Sequence, residues 1–140
     1  MRADSSIWRT WISALCLCGV TIVAGCSRTT LVNPPRQPFA YLPTERVESV
    51  IVECLNRRGW VPTREGPNTL RGTLKVRSHT AVVLIEYTDR WYELRYLGSE
   101  DLSYGKYPMS GREVIHRNYV TWVDDLVHDI NLQLSGEPVH

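Results

Sequence analysis

Residues 70–96 read LRGTLKVRSHTAVVLIEYTDRWYELRY, and their alternation decides the fold. Leu70, Gly72, Leu74 and Val76 alternate with Arg71, Thr73, Lys75 and Arg77. Ala81, Val83, Ile85 and Tyr87 form a second apolar set, and Tyr92, Leu94 and Tyr96 a third. Successive side chains of a strand point to opposite faces, so a period of two marks half-buried strands. A two-residue loop at Asp89-Arg90 sets Tyr87 opposite Tyr92, Ile85 opposite Leu94 and Val83 opposite Tyr96. A turn centred on Ser78-His79 sets Val76 opposite Ala81 and Leu74 opposite Val83. Both hairpins then bury one face, which predicts a three-stranded antiparallel meander. Trp60-Val61-Pro62 leaves room for an extra short strand before it.

The same register assigns the other face. Glu86 falls opposite Glu93, an unfavourable like-charge pair, with Arg71 on the far side of Glu86 to offset it. Val82, Leu84, Trp91 and Leu97 also point outward. A solvated face does not need four apolar residues, so cover is expected from the Trp60 segment, from a helix or from a partner protein.

Helices flank these strands. Across Thr44 to Arg58, Val47, Val50, Ile51, Cys54 and Leu55 make one apolar stripe. Thr44 suits the N-cap, Glu45 the positive start and Gly59 a left-handed stop. Cys54 on that stripe reads as a small buried hydrophobe. From Arg112 to Leu134, Ile115, Tyr119, Trp122, Leu126 and Ile130 form the seam of a long closing helix that packs on the sheet. Between the two regions, residues 98–111 (GSEDLSYGKYPMSG) read as a loop, long enough to suggest a functional role. The fold class is therefore α+β.

Upstream of the domain the chain changes character. Arg2 and Arg9 precede an uncharged stretch, Trp11 to Ala24, that ends in Val23-Ala24-Gly25-Cys26. Those are the parts of a secretory signal, and the stretch is short for a bilayer span. The last four residues resemble the lipobox of bacterial lipoproteins. That resemblance implies diacylglycerol on the Cys26 thiol, cleavage before Cys26 and acylation of the freed amine. Two acyl chains already anchor a protein stably. Ser27 after the cysteine implies sorting to the outer membrane, facing the periplasm. The expected organisation is a signal peptide over residues 1–25, lipidated Cys26 with a Pro-rich tether over 26–43, one domain over 44–135 and a tail over 136–140. Fully extended, the tether would reach about 50 Å.

Cleavage also rewrites the composition. The full chain has 140 residues, 16 Lys+Arg against 15 Asp+Glu, and four cysteines. Loss of Arg2, Arg9 and Asp4 balances the charge, which argues against nucleic acid as a partner. Cys16 and Cys18 leave with the signal and Cys26 is acylated, so Cys54 alone remains as a thiol and no disulfide framework forms.

No phosphate loop, zinc-protease helix, nucleophile elbow or calcium loop occurs. Asp124, Asp125, His128 and Asp129 have the residue types for a divalent ion, but ordinary helix-face pairing explains their spacing, and no metal or cofactor is assigned. Tyr87, Tyr92, Tyr96, Tyr119 and Trp122 read as core by their periodicity, with buried hydroxyls that need partners.

Several ordered motifs remain: Arg77-Ser78-His79, Ile85-x-Tyr87, Tyr92-x-Leu94-x-Tyr96, Ser99-x-x-Leu102-x-Tyr104 and Ile115-His116-x-Asn118-Tyr119-x-x-Trp122. With Arg58-Gly59-Trp60 and the lipobox, this set resembles a family of small uncharacterised proteobacterial lipoproteins. The chain departs from that pattern at Val120, where the resemblance implies Asn. It directs attention to His79, Ser99, Tyr104, His116, Asn118 and Tyr119 as a site where turn, loop and helix start meet. Two functions follow as expectations. One is a non-enzymatic binding or adaptor domain, held at the outer membrane, with Val82, Leu84, Trp91 and Leu97 as its partner patch. The alternative is a small envelope hydrolase or ligand-binding enzyme that uses His116 with the 98–111 loop.

Overall fold

A computed structural model describes residues 27–136. The expected signal segment 1–25, Cys26 with its acyl chains and residues 137–140 of the tail lie outside the described residues. The described residues are α+β, with two helices and two antiparallel sheets among them. In order it runs β1 (Arg28–Thr30), β2 (Gln37–Pro38), α1 (Thr44–Arg57), β3 (Trp60–Gly66), β4 (Thr69–Val76) and β5 (His79–Tyr87). There follow β6 (Trp91–Glu100), β7 (Gly105–Lys106), β8 (Glu113–His116) and α2 (Arg117–Leu134).

The expected meander, β4-β5-β6, is the centre of a five-stranded sheet ordered β2-β6-β5-β4-β3. The β5–β6 register is as the sequence predicts, with Tyr87 on Tyr92, Ile85 on Leu94 and Val83 on Tyr96. The β4–β5 register is two residues different: Leu74 faces Ala81, and Val76 faces His79. The turn is Arg77-Ser78, with Arg77 at φ 57°, so His79 is the first residue of β5. A shift of two preserves which face each side chain takes, so the buried set is unchanged. It does move Arg71 opposite Leu84 and away from Glu86. Arg95 pairs with Glu86 instead, Arg36 with Glu93 at 3.0 Å, and Arg71 with Glu65 at 3.0 Å.

The region around Trp60 forms a full seven-residue strand, and Trp60 itself is buried opposite Leu74. It therefore fills the core and does not cover the outer sheet face. Trp60 sits close to Gly72, where a Cβ would meet Leu55 at 2.9 Å and Val83 at 3.1 Å. That glycine lets the helix and sheet approach each other.

Helix α1 buries the predicted stripe of Val47, Val50, Ile51, Cys54 and Leu55. Its N-cap is Pro43, whose carbonyl accepts from the Arg46 and Val47 amides, and Thr44 is the first helical residue. Gly59 at φ 80° ends the helix. Helix α2 starts five residues later than the periodicity suggests. Val114 and Ile115 are both buried in β8, a strand sandwiched between β1 and β7, and Ile115 fell on the helical spacing without belonging to the helix. The buried face of α2 is Tyr119, Val123, Leu126, Asp129, Ile130 and Leu134, with Trp122 half-buried at its margin.

The expected 98–111 loop is shortened at its start and interrupted in its middle. Strand β6 continues through Glu100, and Gly105-Lys106 pair with β8. Leu102 between them is 1% exposed. Two short parts of the segment expected to be a tether pair with the domain. Arg28, Thr29 and Thr30 pair with His116, Ile115 and Val114. The Asn33 side chain accepts from the Tyr96 amide, and Gln37-Pro38 pair with Tyr92-Trp91 at the sheet edge. An edge position is where a strand tolerates proline.

Candidate functional site

The six residues singled out by the sequence gather at one end of the domain, where β5 begins, β6 ends and β8 passes into α2. His116 is the N-cap of α2: its Nδ1 accepts from the Asn118 amide at 3.2 Å, and its own amide donates to Leu102 O at 2.8 Å. The start of β5, in the other sheet, brings His79 beside it, with ring centroids 6.3 Å apart and planes 18° from parallel. His79 Nδ1 donates to the Asp101 carbonyl at 2.5 Å, and Ser78 Oγ donates to the Asp101 carboxylate at 2.6 Å. Asp101 and Ser103 hold left-handed conformations (φ 53° and 52°) that fold the strand end back over this corner.

A tyrosine cluster adjoins the histidines. Tyr96 stacks on Tyr104 at 5.1 Å and meets Tyr119 edge-on at 5.4 Å, both favoured aromatic geometries. The Ser99 and Tyr96 hydroxyls lie 2.8 Å apart, and the Tyr104 hydroxyl donates to Glu113 at 2.9 Å. That hydrogen bond to a carboxylate raises the Tyr104 pKa, because it favours the protonated phenol. Burial raises the Tyr119 pKa too, and its hydroxyl has no hydrogen-bond partner among the described residues.

Sequence reasoning placed Tyr96 in the core and did not find Asp101 or Glu113. Asp101 bears no local signal, since only the turn of the strand end brings it to His79. Tyr96 was readable as a neighbour of Ser99 once the bulge was known: Val82 pairs with Gly98 and Val83 with Tyr96, leaving Leu97 as the extra residue.

Most of the hydrogen bonds at this corner are made within it: Ser99 bonds Tyr96 and, among the described residues, has no imidazole partner. The described cavities of about 400, 350 and 140 Å³ are lined by other residues. The acidic set on α2 serves the fold. Arg58 takes Asp129 and Asp125, and among the described residues no three metal-ligating side chains converge.

The outer sheet face keeps part of its apolar character. Val82 and Leu84 are half-buried, and Leu97 is 47% exposed. Trp91 lies under the Arg36 guanidinium, 3.9 Å from its ring centroid. No protein-family model, curated protein or solved structure matches the chain.

Proposed function

We propose that the chain is an outer-membrane-anchored periplasmic lipoprotein whose small domain binds an envelope protein and catalyses nothing. The Val23-Ala24-Gly25-Cys26 sequence supports the anchor, as does the likeness to small proteobacterial lipoproteins. One observation carries the binding reading. Ser99, Tyr104 and His116 at the β8–α2 corner are each engaged in hydrogen bonds of the fold, whereas Val82 and Leu84 stay half-buried and Leu97 exposed on the outer sheet face.

The anchor is tested by Cys26→Ala with metabolic lipid labelling and membrane fractionation. The variant should lose its label and leave the membrane pellet; label that persists sinks the anchor. Separating inner from outer membranes reads the sorting assigned to Ser27. The binding reading is tested by in-cell crosslinking of the full chain and of Leu84→Asp. Adducts present in the parent and lost in the variant support it, and an unchanged adduct profile counts against it.

The enzymatic alternative draws on the convergence of His79, Ser99, Tyr104, His116, Asn118 and Tyr119 in one corner. Turnover of an ester or amide substrate that is abolished by both Ser99→Ala and His116→Ala would replace the binding reading with it.

A further inference from the structure

A cleft of about 400 Å³ opens between β1 and the first turns of α2, lined by Ser27, Arg28, Thr29, Arg117, Val120 and Thr121. Two of those six are arginines and none is acidic. Both arginines are exposed. Elsewhere the guanidinium groups are mostly engaged. Arg36, Arg57, Arg58, Arg64, Arg71 and Arg95 have carboxylate partners, and Arg90 and Arg112 lie over tyrosine rings. Arg28 and Arg117 have neither among the described residues. Two unpaired guanidinium groups beside the hydroxyls of Ser27 and Thr29 form a donor set for a phosphate.

The position of the cleft in the chain identifies its ligand. The Ser27 carbonyl accepts from the Arg117 amide at 3.0 Å, so the backbone is already fixed at Ser27. Cys26 is the next residue, and one residue spans at most about 3.6 Å. An acylated Cys26 therefore leaves no slack between this cleft and the bilayer surface. An anionic leaflet attracts each nearby arginine by about fivefold in partitioning.

We propose that the cleft between β1 and α2 binds the phosphate of an anionic phospholipid headgroup in the leaflet that holds the Cys26 lipid. The proposal rests on the anchor reading for its choice of lipid over free phosphate. Bound there, the headgroup fixes the domain's orientation on the membrane.

The test uses the full chain purified in neutral detergent, with its acylation read by intact mass. Amide shifts are followed by NMR against dihexanoyl phosphatidylglycerol, dihexanoyl phosphatidylcholine and inorganic phosphate. Phosphatidylglycerol should give saturable shifts at residues 27–29 and 117–121. Arg28→Gln with Arg117→Gln should weaken that binding on the order of tenfold, at about threefold per exposed arginine. Arg46→Gln, an exposed change on α1, should leave it unaltered, and an otherwise unchanged spectrum verifies that each variant is folded. Equal response to the two lipids, or an unaffected double variant, overturns the proposal. Inorganic phosphate binding as tightly as phosphatidylglycerol overturns the lipid as ligand. An acylated chain without shifts sinks the site and spares the anchor, whereas shifts on an unacylated chain sink the anchor and spare the phosphate site.

Discussion

Arg58 holds Asp129 through two parallel hydrogen bonds, Nε to Oδ2 at 2.6 Å and Nη2 to Oδ1 at 2.8 Å. The pair ties the end of α1 to the fourth turn of α2, and Arg58 reaches Asp125 as well at 3.1 Å. Asp129 is 1% exposed, so its carboxylate has given up water for this one fork. Arg58→Ala would leave that charge buried without its partner. Removing one member of a fully buried pair costs about 3–5 kcal/mol. The Arg58 side chain is 36% exposed, which moderates the loss to about 2 kcal/mol. Urea denaturation of Arg58→Ala should show it, with Arg58→Ala/Asp129→Asn milder than the single change.

The same pair makes stability depend on acid. The hydrogen bonds from Arg58 hold the Asp129 carboxyl below the usual carboxylate value of about 3.9. A depressed folded value contributes stability that is fully present above the unfolded value and disappears as pH falls through the folded one. The contribution should therefore be constant at neutral pH and decline below about pH 4. Melting temperatures measured from pH 7 to pH 2 should fall less steeply on the acid side in Arg58→Ala than in the parent chain.

Two buried tyrosines should respond oppositely to loss of their hydroxyls. The Tyr92 hydroxyl donates to Asn131 Oδ1 at 2.8 Å and lies 3.2 Å from the Val127 carbonyl. Tyr92→Phe should cost about 1 kcal/mol. Tyr119 buries its hydroxyl with no partner among the described residues, so Tyr119→Phe removes a desolvated polar group and should be neutral or stabilising by up to about 1 kcal/mol. Thermal melts of the two variants settle the contrast; a Tyr119→Phe protein weaker than Tyr92→Phe would contradict it.

Gly72→Ala should be destabilising despite the usual gain from removing a glycine. The added Cβ would press on Leu55 Cδ2 and Val83 Cγ2, both within the packed core. Overpacking of this kind costs typically 1–3 kcal/mol. Gly98→Ala meets nothing within 4 Å and serves as the comparison in the same denaturation series.

Cys54 should be a slow thiol. It is fully buried, with Sγ 3.4 Å from Gln133 Oε1, and burial pushes its pKa up to about 11. At pH 8 little thiolate is present to react. Maleimide labelling of Cys54 in the native protein should run on the order of 100-fold slower than in urea.

What was legible in the sequence follows a physical division. The β5–β6 hairpin could be aligned residue by residue because Asp89-Arg90 leaves one two-residue connection compatible with three apolar pairs. The β4–β5 turn carries no glycine or asparagine to mark its centre; Arg77 takes the left-handed position instead, and the register moved by two. The start of α2 was misplaced because Ile115 satisfies both a helical spacing and a buried strand. Strands β1 and β2 gave no signal at all. Three and two residues long, they are strands only because distant partners accept their hydrogen bonds. The six site residues were found as a set by resemblance, whereas Arg28 and Arg117 meet only through the β1–β8 pairing that the sequence does not announce.

That pairing also imposes a timetable. Thr29 bonds across to Ile115, so β1 has no partner until more than 80 further residues have been delivered. Contacts between such distant positions close late, after the local hairpins have formed. Residues 27–30 are therefore the last part of the domain to become inaccessible, although they are its first to emerge. A protease or a pairing peptide offered to the growing chain meets Arg28–Thr30 unpaired until β8 has been made, and the completed fold ends that opportunity.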